Sequence, residues 1–175
     1  GWAAQFGSGF SVAREGGSKK LQHTKAAAAS AAVRWDAQGQ LTDVEIICKV
    51  KLAELARIDV FLRMTGASVS ELSAYSVTMY ASSTTRRLFI RRHVAGESTD
   101  LVIIDETSNW FDLGVEYTIR SKVKGAKIYA KIWPSSEREP AEWTMMAEDS
   151  SVISGYIGIG AYYTGKAYWD DFKLI

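Results

Sequence analysis

The sequence predicts an all-β protein built as an antiparallel β-sandwich, because apolar and polar residues alternate in one short segment after another. The chain has 175 residues, 47% of them apolar and 23% charged, which is ordinary globular composition. Only two prolines interrupt it, and 14 glycines are available for turns between the segments. Because this length suits one domain with a sizeable core, we expect residues 1–175 to form a single sandwich domain.

About ten to twelve short strands follow from this alternation. Residues 43–52 show it most clearly, with Val44, Ile46 and Cys48 on one face and Glu45 and Lys49 on the other. The other alternating segments are, in chain order, 10–13, 20–23, 58–65, 72–80, 87–94, 101–104, 115–123, 126–133, 156–162 and 167–175. Their spacing is typical of an all-β sandwich.

Two further stretches, a glycine-containing turn and an alanine-rich segment, do not follow the alternating pattern. Lys124-Gly125 lies between two alternating segments, which predicts a tight hairpin turn because glycine tolerates positive φ. Residues 25–33 are rich in alanine and have high helix propensity, yet a helix of that length is marginal without packing. We favour a strand of small side chains leading to Trp35, with a short helix as the alternative.

Composition excludes several classes of function. Lys and Arg number 21 against 20 Asp and Glu, so bulk charge does not favour nucleic acid or anionic lipid. No apolar run approaches the roughly 20 residues of a membrane helix, and we expect no membrane insertion. Cys48 is the only cysteine, which rules out an internal disulfide and a cysteine-based zinc site. Because the chain begins at Gly1, we expect it to be processed or excised from a longer protein.

The last sixty residues carry a recognisable pattern: the segments 117–125, 128–133, 139–143 (Glu-Pro-Ala-Glu-Trp), 155–160 (Gly-Tyr-Ile-Gly-Ile-Gly) and 168–172 (Tyr-Trp-Asp-Asp-Phe). This order resembles the concanavalin A-like, laminin-G-like jelly-roll superfamily, in particular its bacterial and phage carbohydrate-binding-type modules. The resemblance implies two curved antiparallel sheets. It implies no single function, since members bind glycans, cleave polysaccharides or serve as adhesion and virion modules.

The same segments suggest structural roles. Gly158 and Gly160 fall on one strand face, where they let a neighbouring side chain lie close to the backbone. Strict alternation puts Asp170 on one face with Phe172, so we expect a carboxylate on an otherwise apolar surface, held by hydrogen bonds. A structural calcium site using Asp170 and Asp171 is the alternative, although calcium needs six to eight oxygen ligands. No cofactor is required by the sequence.

The strand predicted after the hairpin is the most suggestive binding element. Alternation groups Lys127, Tyr129, Lys131 and Trp133 on the outer or concave face. Flat aromatic rings interleaved with hydrogen-bond donors suit sugar rings, which stack on aromatics and present hydroxyls to polar partners. The alternative is that Tyr129 and Trp133 pack beneath the loop 134–143, with the lysines merely solvated.

A basic cluster offers a second candidate. Arg87 and Arg91 share a strand face with His93. Arginine can grip a carboxylate or phosphate with two hydrogen bonds, so this face could hold an acidic glycan. The alternative is a solvated outer sheet whose charges discourage aggregation.

Catalysis has little support. Retaining glycosidases of the superfamily carry an E-x-D-x-x-E type of motif on one strand face, and retention needs two carboxylates about 5–5.5 Å apart. Asp43 and Glu45 share a face, but the third acid and the supporting aromatics of that motif are missing. Cys48 alternates with core residues and is expected to be an inert buried thiol.

We therefore expect a non-catalytic carbohydrate-binding or adhesion module, located on a virion, such as a phage tail or capsid, or on a secreted surface protein. The alternative is a structural virion module that acts through protein contacts, as a homo-oligomer or within a larger assembly. A polysaccharide-degrading enzyme is the least favoured reading.

Overall fold

A computed structural model describes residues 2–15, 17–24, 30–106, 111–162 and 165–175. These residues form fourteen strands and a turn of 3₁₀-helix at Val69–Glu71. The strands are β1 Trp2–Phe6, β2 Phe10–Glu15, β3 Ser18–His23, β4 Ala31–Trp35, β5 Val44–Leu52, β6 Arg57–Thr65, β7 Ser73–Ala81, β8 Arg86–Val94, β9 Glu97–Glu106, β10 Glu116–Lys124, β11 Lys127–Pro134, β12 Met145–Glu148, β13 Tyr156–Tyr162 and β14 Ala167–Leu174. None of the described residues forms a helix long and apolar enough to cross a bilayer.

The strands build two seven-stranded antiparallel sheets packed face to face. Sheet A has the order β1-β4-β13-β6-β7-β8-β9, and sheet B the order β12-β11-β10-β5-β14-β3-β2. This confirms the predicted all-β jelly-roll sandwich. The predicted hairpin is also present, since β10 and β11 pair from Lys124 opposite Lys127 onward. Strands β1 and β12 were not predicted, because their short sequences carry no regular alternation.

The core lies between the sheets and follows the alternation. In β5 every second residue from Val44 to Leu52 is buried, and the residues between them are partly exposed. Cys48 belongs to this buried row. Burial raises the pKa of its thiol to about 12, so the nucleophilic thiolate does not form near neutral pH.

The outer face of sheet A carries a second, smaller apolar cluster. Its buried members are Ala32, Phe61, Met64, Leu72 and Ala74. The two glycines of β13 face this cluster. A Cβ at Gly158 would lie 2.5 Å from Met64 Cε, and one at Gly160 would lie 2.6 Å from the Phe61 ring. Any larger residue at either position would push Met64 or Phe61 away from the sheet.

A β-bulge in β14 changes the predicted facing of its side chains. Asp170 lies opposite Lys49 of β5, and the register then shifts before Lys173. Asp171 occupies the bulge with φ 49°, a conformation that aspartate tolerates better than most residues. Phe172 turns to pack on Trp35. The prediction that Asp170 and Phe172 share an apolar face is therefore wrong, because one extra residue interrupts the alternation.

The alanine-rich stretch lies partly outside the described residues. Residues 25–29 are not among the described residues, so the choice between strand and helix is not tested for them. From Ala31 onward the chain is strand β4, paired with β1 on one side and β13 on the other. The strand interpretation holds for this second half.

Candidate functional site

The four residues predicted to form a binding face on β11 (Lys127, Tyr129, Lys131 and Trp133) are only partly exposed to solvent. Lys127 is exposed and Tyr129 is half-buried, but Lys131 is 6% exposed and Trp133 is 8% exposed. The loop 135–144 explains the difference for Lys131, whose Nζ donates to the Pro140 carbonyl at 2.8 Å. The expectation that all four side chains line an open surface is therefore wrong. The alternative, in which Tyr129 and Trp133 pack beneath the loop and the lysines are solvated, is wrong for Lys131, which is buried.

One carboxylate fastens that loop to sheet B. Glu139 Oε1 lies 2.7 Å from Lys131 Nζ and 2.7 Å from Arg120 Nη1. The hydrogen bond from Lys131 holds the pKa of the Glu139 carboxyl below its ordinary value. Trp143 completes the cover, with its ring 5.4 Å from that of Tyr129 and 5.0 Å from the Lys131 ammonium. These contacts make the loop a packed part of the sheet.

The other predicted cluster lies on the outer face of sheet A. Residues Arg87, Phe89, Arg91 and His93 alternate along β8, opposite the core residues Leu88 and Ile90. Arg91 forms an ion pair with Asp100, and its guanidinium lies 4.9 Å from the centroid of the Phe89 ring. Arg91 is thus charge-compensated rather than an isolated cation, which argues against a purely electrostatic anion site.

Behind this surface lies a row of buried polar side chains that sequence reasoning did not find. Asp59, Ser76, Thr78 and His93 are each 3% exposed or less. They sit side by side because β6, β7 and β8 are neighbours, with Asp59 opposite Thr78 in the ladder and Ser76 one strand from His93. Buried polar groups on the outer face of a sheet are costly unless they are hydrogen-bonded.

Every member of this row is bonded to the next. Thr78 Oγ1 donates to Asp59 Oδ1 at 2.6 Å, and Ser76 Oγ lies 3.1 Å from both Thr78 Oγ1 and His93 Nε2. Ser98 Oγ lies 2.9 Å from His93 Nδ1 at the other end. Because a carboxylate only accepts, Thr78 must donate to Asp59, Ser76 to Thr78, and His93 Nε2–H to Ser76. The chain of bonds therefore fixes the Nε2–H tautomer of His93.

Arg57 closes the row at the Asp59 end. Its Nε lies 3.2 Å from Asp59 Oδ1 and its Nη2 lies 3.0 Å from Asp59 Oδ2, so two guanidinium nitrogens face the two carboxylate oxygens. The Arg57 side chain remains 21% exposed, and its guanidinium lies 5.8 Å from the Tyr162 ring centroid. A buried carboxylate thus holds a partly exposed cation in one orientation.

Two adjoining depressions meet at Arg57. A shallow hollow of about 210 Å³ is lined by Arg57, Tyr80, Arg87, Phe89 and Arg91. A narrower cavity of about 90 Å³ is lined by residues that include Arg57, Asp59, Phe61, His93 and Tyr162. The surface therefore offers aromatic walls beside fixed donors and acceptors, a combination typical of small-molecule sites.

His93 makes the stability of this surface depend on pH. Burial lowers the pKa of His93 to about 4, although the nearby negative charge of Asp59 acts to raise it. The folded state then binds fewer protons than the unfolded state between about pH 6.5 and 4, so the stabilisation is complete above pH 6.5 and is lost as the pH falls. We expect a loss on the order of 3 kcal/mol over this range.

Denaturation midpoints at pH 5.0, 6.0 and 7.5 measure this loss, and a His93→Gln variant serves as the reference. The variant should show a much flatter dependence of unfolding free energy on pH. Equal slopes for the two proteins would mean that His93 is not buried as a neutral imidazole.

The two acids that were weighed and set aside as a glycosidase pair, Asp43 and Glu45, are engaged in other contacts. Glu45 accepts from Arg120 at 2.7 Å and pairs with Lys122 at 2.9 Å, while Asp43 Oδ1 accepts the Gly125 N–H at 2.9 Å. These bonds do not leave a free pair of acids for glycoside cleavage.

The proposed calcium ligands are close in sequence but differ in their contacts. Asp171 pairs with Lys49 at 2.8 Å, and Asp170 Oδ1 accepts the Asp171 N–H at 2.9 Å. Within the described ranges, no three His, Cys, Asp or Glu side chains converge as a metal site would require. Among the described residues, any further calcium ligands beside Asp170 and Asp171 would therefore be backbone carbonyls or other neutral oxygens.

Two sequence signals could have pointed to the outer face of sheet A. Phe61 and Phe89 break the alternation, since each places a large apolar ring on a face that is otherwise polar. Ser76 and Thr78, which interrupt the apolar residues of β7, are a weaker signal of a buried polar row. Serine and threonine are also common on solvent-exposed strand faces.

Neither a protein-family model nor a curated protein sequence matches this chain. Solved structures share its fold. The carbohydrate binding module CBM66 from Bacillus subtilis is 11% identical with a TM-score of 0.74, and the match covers 99% of this chain and 94% of that one. A native glycosidic hydrolase is 13% identical (TM-score 0.66, coverage 99% and 89%). The CBM2 module of the evolved Dit of Lactobacillus casei BL23 phage J-1 is 13% identical (TM-score 0.59, coverage 94% and 79%). The chain thus has the concanavalin A-like jelly-roll fold that its sequence predicted.

Proposed function

We propose that this protein is a non-catalytic carbohydrate-binding module whose sugar site is the outer face of sheet A. The observation that carries the proposal is the buried row from Asp59 to His93, which holds Arg57 at the edge of a hollow walled by Tyr80 and Phe89. The fold it shares with carbohydrate-binding modules supports the same conclusion, as an argument from likeness of fold alone.

The chemistry of the surface suits neutral sugars. Arg91 with Asp100 is a partly exposed ion pair that places donors next to acceptors, and Arg57, held by the buried Asp59, adds further donors. Neighbouring hydroxyl groups of a sugar ring can each donate and accept, so one ion pair can engage two of them. The apolar face of the same ring can stack on Tyr80, which lines the hollow.

The hydrogen bonds of Asp59 favour sugar binding over sugar hydrolysis. This carboxylate is buried, and both of its oxygens already accept hydrogen bonds from Arg57 or Thr78, so neither is free to act on a glycosidic bond. Hydrolysis would need a second carboxylate at a defined distance. Asp100, on the same face, is paired with Arg91.

A glycan microarray of bacterial, plant and animal polysaccharides, followed by calorimetric titration of the bound glycans, tests the proposal. We expect Tyr80→Ala and Arg91→Gln each to weaken binding about tenfold, which corresponds to about 1.4 kcal/mol. Tyr129→Ala on sheet B is the matched control and should bind as the unaltered protein does. Loss of binding in that control alone would assign the site to the open end of β11 instead.

A structural virion module is the second candidate. The likeness to a phage Dit module supports it, as do exposed apolar side chains such as Ile103 and Met146, which are 49% and 61% exposed. An empty glycan array together with concentration-dependent association in light scattering would favour this alternative, and with it a location in a virion.

A further inference from the structure

A hollow of about 250 Å³ lies where β1 and β4 of sheet A approach β14 of sheet B, and the proposed sugar site does not use it. Its walls include the rings of Trp2, Trp35, Trp169 and Phe172, and Asp170 and Asp171 also line it. This volume is below the roughly 300–1,000 Å³ of drug-sized ligand sites. The space therefore suits one ring-sized group.

The aromatic wall is partly open to solvent. Trp2 is 36% exposed, although large aromatic side chains are usually well buried. Its ring centroid lies 4.9 Å from that of Phe172 at an interplanar angle of 83°, and 5.3 Å from that of Trp35. Trp2 also pairs with Trp35 in the ladder between β1 and β4. An exposed ring held by two others gives a preorganised stacking surface.

Among the polar groups beside this wall, Asp170 has an oxygen that can still accept a hydrogen bond. Asp170 Oδ1 accepts the Asp171 N–H, and within the described residues its other oxygen makes no hydrogen bond. The indole N–H groups of Trp35 and Trp169 also find no acceptor in the described part of the chain, but they are buried and do not face the open space.

We propose that this hollow, named here the aromatic hollow, is a second carbohydrate subsite that takes a single neutral hexose unit. The apolar face of the sugar stacks on Trp2, and one hydroxyl donates to Asp170. Lys49 lies 2.8 Å from Asp171 and balances its charge, so a neutral sugar fits better than a cationic one.

The two sites have different reporters. None of the residues named for the sheet A site is a tryptophan, whereas three tryptophans line the aromatic hollow. NMR titration of the ¹⁵N-labelled protein with methyl glycosides of glucose, galactose and mannose therefore reads this site from its indole N–H signals. Trp35→Phe and Trp169→Phe variants assign the signals.

We expect saturable shifts of the Trp2, Trp35 or Trp169 indole signals with at least one glycoside. Trp2→Ala should weaken that binding at least fivefold. Asp170→Asn, a change at a partly exposed side chain that keeps the fold, should weaken it about threefold. Tyr80→Ala is the control: it reduces binding on sheet A and should leave the indole shifts unchanged, so the two proposals fail separately. Absence of indole shifts with all three glycosides, or shifts unaffected by both Trp2→Ala and Asp170→Asn, would overturn the subsite.

Discussion

Replacing Arg63 by Met is expected to lower the free energy of unfolding by roughly 3–5 kcal/mol, because three backbone carbonyls lose their charged donor at about 1–2 kcal/mol each. Arg63 is 3% exposed and sits in a bulge of β6 with φ 55°. Its guanidinium donates to three backbone carbonyls, those of Thr42 at 2.5 Å, Val152 at 2.7 Å and Gly125 at 2.9 Å. One side chain therefore ties three segments together.

Guanidinium chloride denaturation, with the midpoint and the slope fitted separately, measures the effect. Arg63→Lys is the matched variant: it keeps the charge but loses the planar fork, so about half of the loss should remain. A loss below about 1 kcal/mol for Arg63→Met would show that these carbonyls find other partners and that Arg63 does not fasten the sandwich.

Replacing Asp59 by Asn is expected to weaken glycan binding at least tenfold and to lower the free energy of unfolding by about 2 kcal/mol. The amide keeps the shape and can still accept from Thr78, but it removes the charge that orients Arg57. Arg57 is partly exposed and can turn to solvent, which places the stability loss below that of a fully buried pair.

A double-variant cycle separates binding from stability. Adding Arg57→Gln to Asp59→Asn should recover part of the lost stability, since no unpaired charge is left, and should not restore binding. Asp100→Asn, which breaks an ion pair nearer the rim, is expected to cost less than 1 kcal/mol. Wild-type affinity in Asp59→Asn would remove Arg57 and Asp59 from the site.

The sequence predicted much of the fold because alternation reports directly on which side of a sheet a residue occupies. The clear cases, β5 and the β10–β11 hairpin, lie where they were expected. The facing of Asp170 and Phe172 was mispredicted because a bulge adds one residue to the strand. Nothing in the alternation marks that position, and aspartate at positive φ becomes evident only in three dimensions.

The candidate site was predictable only in part. Alternation correctly grouped Arg87, Arg91 and His93 on one face. It also grouped Lys131 with Trp133, but it carries no information about a loop that folds back over that face. The row from Asp59 to His93 depends on three strands becoming neighbours, which is a property of topology rather than of any one segment.

Backbone amide NMR shows whether sugar binds the outer face of sheet A. The spectra are recorded while the ¹⁵N-labelled protein is titrated with the polysaccharide that binds most tightly on the array. We expect the shifted amides to cluster in β6, β7 and β8, around Arg57, Tyr80 and Arg91. Shifts confined to β11 and β12 on sheet B, or no bound polysaccharide at all, would contradict it.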